Sequence, residues 1–326
     1  MRFFTRRFLF YLLTAWAALT LNFLIPRLMP GNPVEIMIAK YKGQLSPAAV
    51  KSLTALFGLN HAGLGSQYVT YWKDLLQGNL GTSVTYFPSS VASVIAAALP
   101  WTAVLVGIST VISFFLGTLL GVIVAWRRGS WLDGVLPPAT TFLLAIPYFW
   151  FGLIAIYLFG VLVHVFPTTG GFSNSTTIGF TGAFLSSAAY HAILPAITIV
   201  ASSIAGWLIG MRNMMVSTLF EDYVMVAEAK GLPKRRVMLT YAARNAVLPS
   251  IASFALSLGF VVSGALLVEV VFSYPGIGYV LLQAVSNEDY PLMQGVFLII
   301  TLAVLVANIV ADGVYVLLDP RTRQDV

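Results

Sequence analysis

Residues 221–250 read EDYVMVAEAKGLPKRRVMLTYAARNAVLPS. They lie between two apolar segments, yet Glu221 to Arg244 hold eight of the thirty charged residues of this 326-residue chain. The local pattern predicts helix, break, helix. Glu221 and Asp222 suit the positive end of a first helix, and Lys230 suits its negative end. Gly231 stands where a left-handed C′ residue is wanted, with Leu232 as the hydrophobic residue beyond it. Pro233 then opens a second helix, where its missing N–H costs nothing. That helix starts with Lys234, Arg235 and Arg236 and carries Val237, Met238, Tyr241 and Ala242 as an apolar stripe. Pro249 restarts the chain as it enters the next apolar run. A hairpin of this kind, held between membrane helices, is suited to being gripped by a partner.

The surroundings are those of a membrane protein. The chain is 58% hydrophobic and 9% charged, and it has no cysteine, whereas a soluble domain carries roughly 25% charged residues. The lack of cysteine excludes disulfides and thiolate metal sites. The net charge of +6 comes from cations dispersed between spans, which is loop bias and not a nucleic-acid footprint.

Residues Phe8–Ile25 follow Arg2, Arg6 and Arg7 and form a first span. Ala15-Trp16-Ala17 mimics a signal-peptide cleavage site, but the apolar run continues eight residues past it, so an uncleaved helix is expected. Residues 30–100 are a longer, more polar insert that opens on the turn cluster Pro30-Gly31-Asn32-Pro33. Short helices are expected over Pro47–Phe57 and, with Tyr68, Tyr71, Trp72 and Leu75 on one face, over Tyr68–Leu76. The insert is either a solvated loop with interfacial helices or part of a docking face for an external partner. Val91–Ala98 reads as a short helix leading to Pro100. Five more spans follow: Trp101–Trp126, Thr140–Val163, Ala192–Met211, Pro249–Val268 and Gly295–Val316, each long enough for about 30 Å of hydrocarbon.

Six spans put both termini on one side, and the cations choose it. The N-terminus, the loop at 127–128, the loop 212–244 and the tail carry thirteen of the eighteen Lys and Arg residues; the loops 164–190 and 270–294 carry none. Both ends and the hairpin are therefore expected in the cytoplasm. The domain reading is 1–29 for the N-terminus and first span, 30–100 for an extracytoplasmic insert, 101–318 for a core with the cytoplasmic loop 212–248, and 319–326 for a cytoplasmic tail.

No catalytic constellation accompanies this layout. The chain has no GxxxxGK[ST] loop, no HExxH and no cysteine nucleophile, so it reads as a non-enzyme. His61, His164 and His191 are its only histidines; the last two suit interfacial anchoring, and no carboxylates stand beside them to complete a metal site. Glu269 and Asp312 approach the spans as edge anchors or helix-packing partners. Neither is deep enough to favour an ion-coupled carrier, and an intramembrane enzyme lacks paired carboxylates. Gly117-xxx-Gly121 and Gly206-xxx-Gly210 allow close helix approach. The hydroxyl rows Ser109, Thr110, Ser113; Thr198, Ser202, Ser203; and Ser253, Ser257 are expected mostly to bond back to helix carbonyls. Pathway-lining residues are not identifiable individually.

The hairpin resembles the EAA loop of binding-protein-dependent ABC transporter permeases in the form used by the peptide/nickel subfamily. The resemblance rests on Asp222-Tyr223, Ala227, Ala229-Lys230-Gly231, Arg235-Arg236, Arg244-Asn245 and Leu248-Pro249, although the literal Glu-Ala-Ala reads Met225-Val226-Ala227 here. Elsewhere Pro30-Gly31-Asn32-Pro33, Leu56-Phe57-Gly58-Leu59, Gly78-Asn79-Leu80-Gly81-Thr82-Ser83, Leu99-Pro100-Trp101-Thr102, Pro275-Gly276-Ile277-Gly278, Asp289-Tyr290-Pro291 and Asp319-Pro320-Arg321 fall in the order of the B-type permease of dipeptide and oligopeptide importers. The resemblance implies an all-α, type I ABC importer permease in a bacterial or archaeal cytoplasmic (inner) membrane. It implies a heterodimer with a homologous second permease, two ATP-binding subunits that carry ATP and Mg²⁺, and an extracytoplasmic substrate-binding protein. The chain itself would hold no cofactor. Residues 221–250 would be the ATPase-coupling lever, with hydrophobic contacts of Ala227, Leu232, Val237 and Met238 supplying the grip. Short peptides are the favoured cargo; oligosaccharides, nickel and glutathione are the alternatives.

Overall fold

The computed structural model describes residues 2–29, 63–263 and 265–318. The Pro30 turn cluster, the helix expected over Pro47–Phe57, the Leu56–Leu59 stretch, His61 and the tail from Asp319 fall outside them. The described residues are helical, with one isolated bridge between Thr82 and Ser90. In chain order the helices are α1 (Arg2–Leu28), α2 (Leu64–Leu76), α3 (Val91–Trp126), α4 (Trp131–Ala145), α5 (Tyr148–Ala155), α6 (Gly182–Thr218), α7 (Asp222–Ala229), α8 (Leu248–Gly259), α9 (Leu266–Val271), α10 (Ile277–Ser286) and α11 (Tyr290–Leu318). Wide π-type turns extend α5 over Ile156–Leu162 and precede α8 over Val237–Ala243.

Among the described residues, four helices are long and apolar enough to cross a membrane: α1 over Leu9–Leu28, α3, α6, and α11 over Tyr290–Val310. A fifth crossing is available only as a pair, α4 with α5 and its extension, bent by 93°. Three expected boundaries shift accordingly. The short helix at Val91–Ala98 and the span at Trp101–Trp126 are one helix, α3, which passes through Pro100. Burial on both sides of that proline, at Ala98, Thr102 and Leu105, holds the turn that its missing N–H weakens. The span expected over Thr140–Val163 is broken at Ile146-Pro147. Pre-proline sterics disfavour the helical region for the preceding residue, and Ile146 is extended at φ −87°, ψ 129°. The span expected over Pro249–Val268 ends as α8 at Gly259, tightens into a 3₁₀ turn over Phe260–Ser263 and resumes as α9.

The frame is the pair α3 and α6, 36 and 37 residues long and so about 55 Å each at 1.5 Å per residue. They touch through Gly117 and Gly121: a Cβ on Gly117 would meet Trp207 Cβ at 2.6 Å, and one on Gly121 would meet the Leu208 carbonyl at 2.6 Å. Gly206 and Gly210 have nothing within 4 Å of such an atom, so the second small-residue motif takes no part in this contact. Three apolar cores lie along the pair. One joins the start of α3 to α10 and α11, one the middle of α3 and α6 to α9 and Phe272, and one their C-terminal ends to residues 224–246. At the edge, α2 lays Tyr68 and Tyr71 on Phe23 of α1, with ring centroids 5.1 and 5.4 Å away. The amphipathic helix expected from Tyr68 is present and begins earlier, at Leu64.

Two fully buried carboxylates fasten the segments between α8 and α11. Glu269 Oε1 accepts from Thr102 Oγ1 at 2.8 Å and Oε2 from the Gly278 N–H at 2.6 Å, while Thr102 Oγ1 accepts the Ile277 N–H at 2.8 Å. The carboxylate thus satisfies the open N-terminus of α10. A Cβ on Gly276 would meet Glu269 Cδ at 2.4 Å, which explains the glycines after Pro275. Of the two roles open to Glu269, the structure shows helix packing and not edge anchoring. Asp289 caps α11 through the Leu292 N–H at 3.1 Å and accepts from Ser83 Oγ at 2.5 Å and the Thr85 N–H at 2.8 Å. The Gly78–Ser83 and Asp289–Pro291 motifs are therefore two halves of one joint.

Candidate coupling surface

The hairpin folds as its sequence directs. Glu221 is the N-cap of α7 and Asp222 its first residue. At the other end the Leu232 N–H reaches the Ala227 carbonyl at 3.4 Å and the Gly231 N–H reaches Glu228 at 2.8 Å. Those are the two bonds of a Schellman motif. Gly231 has φ +72°, a conformation that L side chains resist. Pro233 stands at the N-cap, one place before the first helical residue Lys234, and its carbonyl accepts from Arg236 and Val237 at 2.8 and 3.1 Å. The Asn245 side chain donates back to the Tyr241 carbonyl at 3.0 Å.

One side of this elbow is welded to the frame. Val224, Ala227, Val237, Ala242 and Ala246 are buried against Val122 and Ala125 of α3 and Met211 and Met215 of α6, with Leu232 and Met238 packed at the edge. The expectation that Ala227, Leu232, Val237 and Met238 grip a partner is corrected for Ala227 and Val237; Leu232 and Met238 are half-buried. Ala227 is 2% exposed and Val237 1%, because their helical spacing faces the apolar ends of α3 and α6. Their contacts are internal and join elbow to frame.

The opposite face is open. Asp222, Tyr223, Ala229, Lys230, Gly231, Arg235, Arg236, Arg244, Asn245 and Pro249 are all exposed. So are Met225 and Val226, and Phe220 just before α7; a reading that assigns the apolar residues to one stripe misses these three. A groove of about 360 Å³ runs between the elbow and the frame, with Phe220, Glu228 and Lys234 on the elbow side and Trp126 and Arg128 on the other. Beside it Arg212 of α6 holds Asp133 Oδ1 of α4 through Nε and Nη2, at 2.8 and 2.6 Å, and the Gly129 N–H donates to Asp133 Oδ2 at 3.0 Å. The surface is an apolar patch with a cationic rim, carried on a helix that cannot shift without moving α3 and α6.

Comparison with known proteins identifies the family. Residues 117–324 match the family described as binding-protein-dependent transport system inner membrane component. The oligopeptide transport system permease protein AppB of Bacillus subtilis is 33% identical, over 92% of each chain. The di/tripeptide transport system permease protein DppB of Pseudomonas aeruginosa is 35% identical over 98% of each. The dipeptide transport system permease protein DppB of Escherichia coli K12 is 30% identical over 93% of each. With an elbow buried on one face, open on the other and set within apolar spans, this chain belongs to the inner-membrane permease components of binding-protein-dependent ABC transporters.

Proposed function

We propose that the chain is one of two homologous permease subunits of an ATP-driven importer for di- and oligopeptides. The two-faced elbow carries the reading, and the peptide systems named for its relatives support the cargo. Two ATP-binding subunits on the cytoplasmic side would hold ATP and Mg²⁺ and seat the elbow; this chain would hold neither. An extracytoplasmic binding protein would deliver cargo to the side formed in part by the 30–100 insert, with both termini in the cytoplasm.

In this mechanism the exposed apolar residues of α7, Tyr223, Met225 and Val226, sit in a groove of the ATP-binding subunit in helix-in-groove fashion. Lys230, Arg235, Arg236 and Arg244 orient the contact. When the ATP-binding subunits close, the elbow moves as a unit because Gly231 fixes its bend. Close-packed interiors transmit displacement, so Ala227 and Val237 pass the motion to Val122, Met211 and Met215 at the ends of α3 and α6. The pathway opens outward under the docked binding protein and inward after hydrolysis.

The test is reconstitution of the chain with its second permease and ATP-binding subunits in liposomes. Labelled dipeptide should accumulate only with ATP on the elbow side and binding protein on the other. Accumulation driven by a proton or sodium gradient without ATP would overturn the reading.

A further inference from the structure

Between the middle of α3, the α4–α5 bend, α6 and the end of α8 lies a cavity of about 620 Å³, within the 300–1,000 Å³ range of small-molecule sites. Thr110, Ser202, Ser203, Ser257 and Tyr148 supply its polar atoms, and the residues lining it include no Asp, Glu, Lys, Arg or His.

Two chain breaks meet at this cavity, the bend at Ile146-Pro147 and the 3₁₀ turn entered at Phe260. Non-helical backbone at membrane depth persists only where protein buries it or water reaches it. The wall includes Leu143, Leu144 and Ala145, the last turn of α4; the Leu143 carbonyl accepts the Ile146 N–H at 3.2 Å, while those of Leu144 and Ala145 lose their helical donors where the helix stops. The hydroxyls divide into two kinds. Ser202 and Ser257 donate to the Ile199 and Phe254 carbonyls at 2.9 and 2.7 Å. Those of Thr110 and Ser203 have no hydrogen-bond partner among the described residues.

We propose that this cavity is the chain's share of the cargo path and that it recognises the peptide main chain, not its side chains. The proposal rests on the peptide reading given above and deepens it. Main-chain amides need neutral donors and acceptors set in an apolar wall; free hydroxyls do both, and the carbonyl end of α4 accepts N–H groups and favours an α-ammonium. A wall without fixed charge admits acidic, basic and neutral side chains alike. An acyl chain has no use for the free hydroxyls, and a helix of the second permease would leave the broken backbone unsatisfied.

Because the native chain has no cysteine, Ser203→Cys and Thr110→Cys each create a single thiol. In the reconstituted transporter cycling with ATP and binding protein, a water-soluble maleimide should modify both, and tri-alanine should slow the reaction several-fold. Modification only by a lipid-soluble maleimide would make the cavity a lipid groove. No modification in any state would make it a subunit contact. Either result overturns the proposal. As a second measurement, Thr110→Val and Ser203→Ala should each raise the half-saturating tri-alanine concentration for uptake up to about tenfold, the worth of one hydrogen bond. Tripeptides bearing Lys or Glu should show the same change. Unchanged uptake in both variants overturns the site, whereas a wild-type transporter that ignores dipeptides, tri-alanine and longer peptides alike overturns the peptide reading itself.

Discussion

The carboxylate of Glu269 meets the backbone N–H of Gly278 at 2.6 Å, nine residues further along the chain and fully buried. It fixes how α9 turns into α10 and, through Thr102, ties that turn to α3. Removing it leaves the Thr102 hydroxyl and the Gly278 N–H without their acceptor, at about 1–3 kcal/mol for each orphaned group. Glu269→Ala should therefore lower the unfolding temperature in detergent well below that of Glu269→Gln, which keeps an acceptor oxygen. Gly278→Ala should also destabilise, since its Cβ would stand 2.7 Å from Leu266 Cα and overpacking costs about 1–3 kcal/mol.

The joint at Asp289 predicts a local effect. Asp289→Ala removes the cap of α11 and the acceptor for Ser83 and Thr85. Cap loss costs about 1 kcal/mol, and the segment between α2 and α3 loses its anchor. Proteolytic nicking within residues 77–90 should accelerate in Asp289→Ala and, to a smaller degree, in Ser83→Ala. Equal nicking in wild type and both variants would contradict the joint.

At Gly231 the strain is purely conformational, since a Cβ at that position would find nothing within 4 Å. A left-handed L residue costs about 1–2 kcal/mol, with Asn and Asp the most tolerant. Gly231→Val should loosen the bend more than Gly231→Asn. For Gly231→Val the lever assignment predicts normal membrane insertion and ATP hydrolysis that no longer drives uptake. Uptake at the wild-type rate would refute it.

The two faces of the elbow should respond differently to charge. Val226 is 51% exposed, so Val226→Glu should leave the unfolding temperature of the isolated subunit near wild type while releasing the ATP-binding subunits on purification. Ala227→Glu instead places an unpaired carboxylate among Val122, Met211 and Met215, at several kcal/mol, and should lower the unfolding temperature before any partner is added.

The elbow is legible in the sequence because its signals are local: a C′ glycine, a hydrophobic residue after it and a proline two places on. Which side faces inward is not, because Ala227 and Val237 are buried by helices whose contacting residues lie far away in sequence. The breaks in the membrane helices are half-visible. Pro147 announces the bend after Ile146, yet Pro100 in α3 and Pro195 in α6 sit inside continuous helices. Packing around each proline decides between those outcomes, and apolar periodicity carries no trace of it. Counting residues along one straight helix puts Glu269 at a membrane edge, so its burial cannot emerge while α8 and α9 are read as a single rod.

The crowding at Gly117 and Gly121 has a mechanical corollary. Those contacts lie between the apolar core of the elbow and the hydroxyl-lined cavity, on the two helices that serve both. A linkage with backbone against backbone has no backlash, so a small stroke at one end is not absorbed along the way. In the proposed lever the glycines would do for the stroke what a tight bearing does for a shaft, and even one added methyl would either jam it or introduce play.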